Sequence, residues 1–297
     1  MTMLNRILSH IPIALFWLLH FLPLPVLAAI GRGFGLLLYF TAGRRRKIVL
    51  VNLALCFPEL TDPARRQLAR AHFQMLARSI LERSVLWWGG LQRLSRLISV
   101  NGEEKIRDLR DAGKPVILLT PHFVGLDAGG IGIALRFDSL SIYSAQKNLV
   151  FDRLLLRGRS RFGKQLLLSR QDGARASIKA MRAGRPFYYL PDMDLGSRDS
   201  IFAPFFGIQA ATITGLSRLA RAAGAVVIPC ITRILPNGRG YVVELGEPLA
   251  DFPTDDVEAD TRRMNAFIES AVRTMPEQYY WVHRRFKTRP AGEARYY

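Results

Sequence analysis

The chain has 297 residues, 49% of them hydrophobic and 22% charged; this provides enough apolar surface for a core and excludes a disordered chain. Lys and Arg number 42 against 24 Asp and Glu, a formal net charge of +18, which points to an anionic partner: nucleic acid, a lipid surface, or an acidic protein. Two cysteines, Cys56 and Cys230, and five histidines exclude a disulfide scaffold, a Cys-rich metal site and a His-rich metal protein.

The first element is apolar. No formal charge occurs from Ile11 to Ile30, and Arg44–Lys47 is a run of four cations just beyond. Twenty residues suffice for a helix across a hydrocarbon core of ~30 Å, and the basic flank fits a cytoplasmic side under the positive-inside rule. Pro12, Pro23 and Pro25 interrupt the segment, so a spanning helix and a kinked insertion into one leaflet both stay open, beside a buried helix of a soluble core. Residues 1–43 are assigned to this membrane anchor, leaving 44–297 as one cytoplasmic domain.

Thr61 and Asp62 before Pro63 read as a helix start, and near-helical apolar spacing continues to Trp88. From Pro115 the pattern changes. Apolar runs of strand length (Pro115–Thr120, Leu140–Ser144, Pro186–Leu190, Ala225–Ile231, Tyr241–Leu245) alternate with helix-length segments (Leu126–Arg136, Val150–Arg161, Gly173–Ala183, Ile213–Ala223), and Asp255–Thr274 reads as a last helix. This predicts an α/β fold: a central, mostly parallel or mixed sheet flanked by helices, behind an N-terminal membrane-anchoring helical segment.

Four groups of residues can carry chemistry. His122 and Asp127 lie in LLTPHFVGLDAGG, just past a strand's C-terminal end, where open α/β sheets bind ligands. Five residues apart within one helix they would diverge by ~140°; with His122 in the loop and Asp127 in the following first turn they can meet. The carboxylate would then fix the imidazole tautomer and leave the other nitrogen free to take a proton. A helix-capping or core histidine is the plain alternative. Arg153, Arg157 and Arg161, spaced by four, form a basic stripe suited to phosphate, or a solvated face. Asp192 and Asp194 alternate after the strand Pro186–Leu190, so in an extended chain they point the same way; they could bind a metal, position a sugar hydroxyl or pair with arginines, or form an ordinary turn. Phe202, Phe205 and Phe206 offer an apolar wall. The aromatic and basic tail WVHRRFKTR could lie on an anionic bilayer or contact single-stranded nucleic acid.

Taken together, these blocks resemble one family. HFVGLDAG is similar to the HxxxxD/E signature of glycerolipid acyltransferases, and NLALCFPELT, RSRFG, LPDMDLG, APFFGIQAAT and QYYWVHRRFKTRP resemble, in order, the blocks of the lipid A late acyltransferases. The resemblance covers nearly the whole chain. It implies an enzyme on the cytoplasmic face of the bacterial inner membrane that moves a fatty acyl group from acyl carrier protein to a hydroxyl of an anionic, phosphorylated lipid A precursor, with no metal or cofactor and no nucleic-acid partner. It makes His122 the general base and Asp127 its acidic partner, and places Arg157, Arg161, Asp192, Asp194, Phe205 and Thr212 in substrate binding. Asp127 stands where members of the family often carry Glu, which leaves the acceptor open: a lysophospholipid, a glycolipid or another hydroxylated lipid, with a carrier-protein or CoA donor.

Overall fold

The computed structural model describes residues 12–146, 148–169 and 172–297; the start of the expected anchor, residues 1–11, lies outside them. The apolar N-terminal stretch forms two helices, α1 (Pro12–Phe21) and α2 (Leu24–Thr41). They part at Leu22, which is extended (φ −70°, ψ 145°), as a residue before proline must be. Then come α3 (Gly43–Cys56) and α4 (Asp62–Trp88), the latter capped by Thr61 with Pro63 in its first turn.

α2 lies directly on α4. A Cβ on Gly35 would sit 2.4 Å from Gln74 Cα, and one on Gly31 2.7 Å from Arg78 Cα. Two glycines four apart thus form one bare helix face that lets the backbones touch. Inside α4, Arg78 pairs with buried Glu82 at 3.0 Å, and the Tyr241 hydroxyl donates to the same carboxylate at 2.8 Å.

The rest is the expected alternation. A seven-stranded sheet has the order β1 (Ile98–Asn101), β9 (Tyr241–Leu245), β8 (Val226–Ile234), β2 (Val116–Leu119), β5 (Phe187–Tyr189), β3 (Leu140–Tyr143), β4 (Leu166–Ser169). All neighbours are parallel except β8 and β9. Successive β2 residues feed opposite cores: Ile117 and Leu119 one, Val116 and Leu118 the other. Burial on both faces is why these strands read as unbroken apolar runs. Helices α5 (Leu91–Leu97), α6 (Glu103–Asp111), α7 (Leu126–Ala134), α8 (Leu149–Arg159), α9 (Gly173–Arg182), α10 (Gly215–Ala223) and α11 (Val257–Thr274) flank the sheet. The aromatic wall expected near Phe205 is part of an antiparallel hairpin, β6 (Ser200–Phe205) and β7 (Ile208–Ile213). Its turn residues Phe206 and Gly207 both have positive φ (51° and 74°), the conformation that joins twisted strands in two residues.

Two histidines are buried neutral. His72 Nδ1–H donates to the Glu277 carbonyl and His283 Nδ1–H to that of Tyr280; burial brings both pKa values down to about 4. Once unfolded, each takes a proton near pH 6.5, so between about pH 6.5 and 4 the unfolded chain binds more protons. Stability should therefore rise with pH across that window, by up to ~2.7 kcal/mol per unit where both titrate. Urea unfolding at a series of pH values checks this; a flat profile from 4 to 6.5 would contradict it.

Candidate active site

The site follows from the parallel register of β2 and β5. Leu119 lies opposite Tyr189; three residues further on, past the C-terminal ends of both strands, His122 and Asp192 come face to face. His122 Nδ1 donates to Asp192 Oδ1 at 2.6 Å, and the His122 backbone N–H donates to Asp192 Oδ2 at 2.9 Å. The Tyr279 hydroxyl donates to the same Oδ2 at 2.9 Å. Asp192 is fully buried. Burial alone would push its carboxyl up, but the adjacent imidazole and its hydrogen bonds outweigh that and hold it well below the usual carboxylate range. The C-terminal segment locks the loop: the Tyr280 N–H donates to the His122 carbonyl and the Val124 N–H to that of Gln278.

Asp127 is not the partner of His122, and the pairing expected from the HxxxxD spacing gives way to a different one. From the first turn of α7, Asp127 faces α4 and α8. Its Oδ1 accepts from Arg159 (Nε 2.8 Å, Nη2 2.7 Å), and Oδ2 pairs with Arg83 Nε at 2.5 Å. The carboxylate is buried, which opposes ionisation, yet the two guanidinium charges and their hydrogen bonds bring its pKa down to about 2. Two cations on one anion leave a net positive charge.

His122, Arg83 and Arg159 line one cavity of about 1000 Å³. The ring Nε2 of His122 has no hydrogen-bond partner among the described residues, and the side chain is 19% exposed. Ile142, Leu155, Ile178, Ile213 and Leu219 give the cavity apolar walls. The remaining expected residues lie elsewhere. Arg157 is exposed on α8. Arg161 falls beyond the end of that helix and donates to the Leu86 carbonyl at 3.3 Å. The chain after β5 is irregular, so the alternation of Asp192 with Asp194 fails; buried Asp194 accepts from the Thr288 N–H and hydroxyl and fastens the C-terminal tail. Phe205 is in the core, and Thr212 is buried against Arg285, whose Nη2 donates to its hydroxyl at 2.8 Å. The Phe123 N–H is bonded to the Pro121 carbonyl at 2.7 Å and that of Val124 to Gln278, so neither is available as an oxyanion donor. Arg83 and Tyr279 were not among the expected residues. Arg83 sits in the last two turns of a long helix that reads as packing; Tyr279 lies in the block QYYWVHRRFKTRP, with nothing nearby to name its partner.

An imidazole with one nitrogen tied to a buried carboxylate and the other facing a cavity with apolar walls and a cationic corner has the chemistry to take up and return a proton beside a bound apolar molecule. Comparison with known proteins identifies the class of enzyme. Residues 1–288 match the family described as bacterial lipid A biosynthesis acyltransferase, and the chain belongs to that family. It is 37% identical over 286 residues to the lipid A biosynthesis lauroyltransferase of Escherichia coli (strain K12), covering 96% of this chain and 93% of that one. It is 30% identical over 291 residues to the palmitoleoyltransferase of the same organism (98% and 94% covered) and 32% identical over 274 residues to its myristoyltransferase (92% and 83%).

Proposed function

We propose that this acyltransferase moves a fatty acyl chain from an acyl carrier protein thioester to a hydroxyl of a phosphorylated lipid A precursor, on the cytoplasmic face of the inner membrane. The observation that carries the reading is the His122–Asp192 pair opening on the same cavity as Arg83 and Arg159. Nδ1–H is committed to Asp192, so Nε2 takes the hydroxyl proton as the oxygen attacks the thioester carbonyl. The tetrahedral intermediate collapses, the carbon–sulfur bond breaks, and the imidazolium returns the proton to the departing thiolate. Asp192 stays ionised, fixes the tautomer and balances the transient imidazolium. Arg83 and Arg159, held by Asp127, bind acceptor phosphate through the guanidinium N–H groups that the carboxylate leaves free. The excess of 18 positive charges suits an acidic carrier, a phosphorylated lipid and an anionic membrane alike.

The test is acyl transfer by the purified full-length chain from acyl carrier protein and from CoA to a lipid A precursor and to a lysophospholipid, read by mass spectrometry. One added acyl chain on the lipid A precursor, faster with the carrier protein, is the expected product. Equal or faster acylation of the lysophospholipid would overturn the acceptor assignment, and preference for CoA the donor.

A further inference from the structure

The outer surface of α1 and α2 is unusual for a water-soluble body. Fifteen large hydrophobic side chains are exposed among the described residues, and ten of them lie between Leu15 and Phe40, so they form a patch rather than scattered exposures. On α2 the exposed set runs Val26, Ile30, Phe34, Leu36, Leu37, Phe40. At 100° per residue it covers an outer arc of ~160°. The opposite arc, with Leu27, Gly31 and Gly35, is buried, and its two glycines rest on the α4 backbone.

That contact decides how the helix meets lipid. α2 is long and apolar enough to cross a membrane, but α4 lies along it and carries Asp62, Arg65, Arg66, Arg70, Arg78, Glu82 and Arg83. A crossing would drag that charged helix into hydrocarbon or strip α2 from it, exposing its own packed face. Lying in the plane of one leaflet, α2 buries its outer arc and keeps α4 in place. Cations ring the same end of the helix. Arg44, Arg45 and Lys47 are exposed just past it, with Arg66 and Arg70 on neighbouring α4, and the Arg46 and Arg70 guanidiniums lie 5.4 and 5.5 Å from the Tyr39 ring centroid. At the other end the patch extends towards the cavity. Phe16 of α1 and Phe151 of α8 both pack on Trp87 (ring centroids 5.8 and 6.1 Å), beside exposed Leu149; α8 carries Leu155 and Arg159 of the cavity wall.

We infer that the chain docks on an anionic phospholipid bilayer without spanning it, with α1 and the outer arc of α2 inserted in one leaflet, the Arg44–Lys47 and Arg66–Arg70 cations on the headgroups, and Leu149 and Phe151 dipping in beside the cavity. The inference deepens the acyltransferase reading by naming the surface from which a lipid acceptor arrives, but its test needs no turnover.

Full-length protein is floated with sealed vesicles of phosphatidylethanolamine and phosphatidylglycerol, with short protease-cleavable tags at both termini. Wild type should float, and external protease should remove both tags. The Phe34→Glu/Leu37→Glu variant should stay at the bottom with an unchanged melting curve. Arg44→Gln/Lys47→Gln/Arg66→Gln alters three exposed side chains and should weaken binding by about fivefold per charge, roughly a hundredfold in all, on these vesicles but not on phosphatidylcholine. Leu149→Ser/Phe151→Ser should slow acylation of vesicle-borne acceptor and spare detergent-dispersed acceptor. An N-terminal tag protected while the C-terminal one is cut would establish a spanning helix and overturn the inference. So would undiminished flotation of the glutamate variant, or equal loss of the triple variant on neutral vesicles. Flotation as expected from a chain without acyltransferase activity would sink the functional reading and leave the docking standing.

Discussion

His122→Ala is expected to lower kcat on the order of 10³–10⁴-fold, the upper range for removing a general base together with its orienting pair, with KM for donor and acceptor little changed. Asp192→Asn should come close to the same loss for a reason written in its contacts. Oδ2 accepts from the His122 backbone N–H and the Tyr279 hydroxyl, and Oδ1 faces His122 Nδ1. The asparagine oxygen must stay on the side with two donors, so its amide N–H₂ faces the ring. Nδ1 then accepts, the proton moves to Nε2, and the imidazole can no longer take the hydroxyl proton. The double variant should be no slower than His122→Ala alone, because the two residues act as one unit. Far-ultraviolet dichroism and vesicle flotation should match wild type in all three. If Asp192→Asn keeps more than about a third of the activity, the pair is structural, and the base lies elsewhere.

That the sequence marks His122 at a sheet edge but not its hydrogen-bond partner has physical reasons. Strands buried on both faces announce themselves as runs such as Val116–Leu119 and Phe187–Tyr189, and a polar residue just beyond such a run sits at a sheet edge. That logic found both His122 and Asp192. Strand order is not local, however: β2 and β5 are neighbours across seventy residues, and only their register shows that the third residue past each strand meets the other. Spacing within one segment favoured Asp127 instead. The basic stripe misses the arginine at the cavity for a related reason. A period of four chose Arg157 and Arg161, whereas Arg159, ~200° around the helix from Arg157, is the one that turns inward to the buried carboxylate and the cavity. The edge strands β1 and β4 are only partly buried, β1 with Ser99 and Asn101 exposed and β4 half-buried throughout, so neither gives the signal of a strand buried on both faces. Asp194, Phe205 and Thr212 belong to recognisable blocks, yet their contacts are with the tail and the core; a motif marks the residues a fold needs as readily as those its chemistry needs.

The buried triad gives the second large effect. Asp127→Asn leaves Arg83 and Arg159 side by side without their counter-charge, each only about a quarter exposed, and removing one member of a buried ion pair typically costs ~3–5 kcal/mol. Urea unfolding at pH 7 should register that loss. It should shrink in acid: the Asp127 pKa of about 2 lies below the unfolded value of ~3.9, so its ionised form contributes stability above pH 4 and the contribution fades as pH falls towards 2. Catalytically, KM for the phosphorylated acceptor should rise about tenfold or more, with kcat little changed, because the imidazole keeps Asp192. A fallen kcat at unchanged KM would instead make Asp127 act on His122. Stability and function separate in a third variant, Arg83→Met/Asp127→Leu/Arg159→Met. Exchanging a whole buried ionic cluster for apolar side chains of similar volume is often neutral or stabilising, so this chain should fold at least as well as Asp127→Asn while binding phosphorylated acceptor worse than any single variant. Were it to bind that acceptor as wild type does, the two arginines would be scaffolding, and the phosphate would have to be held somewhere else in the cavity.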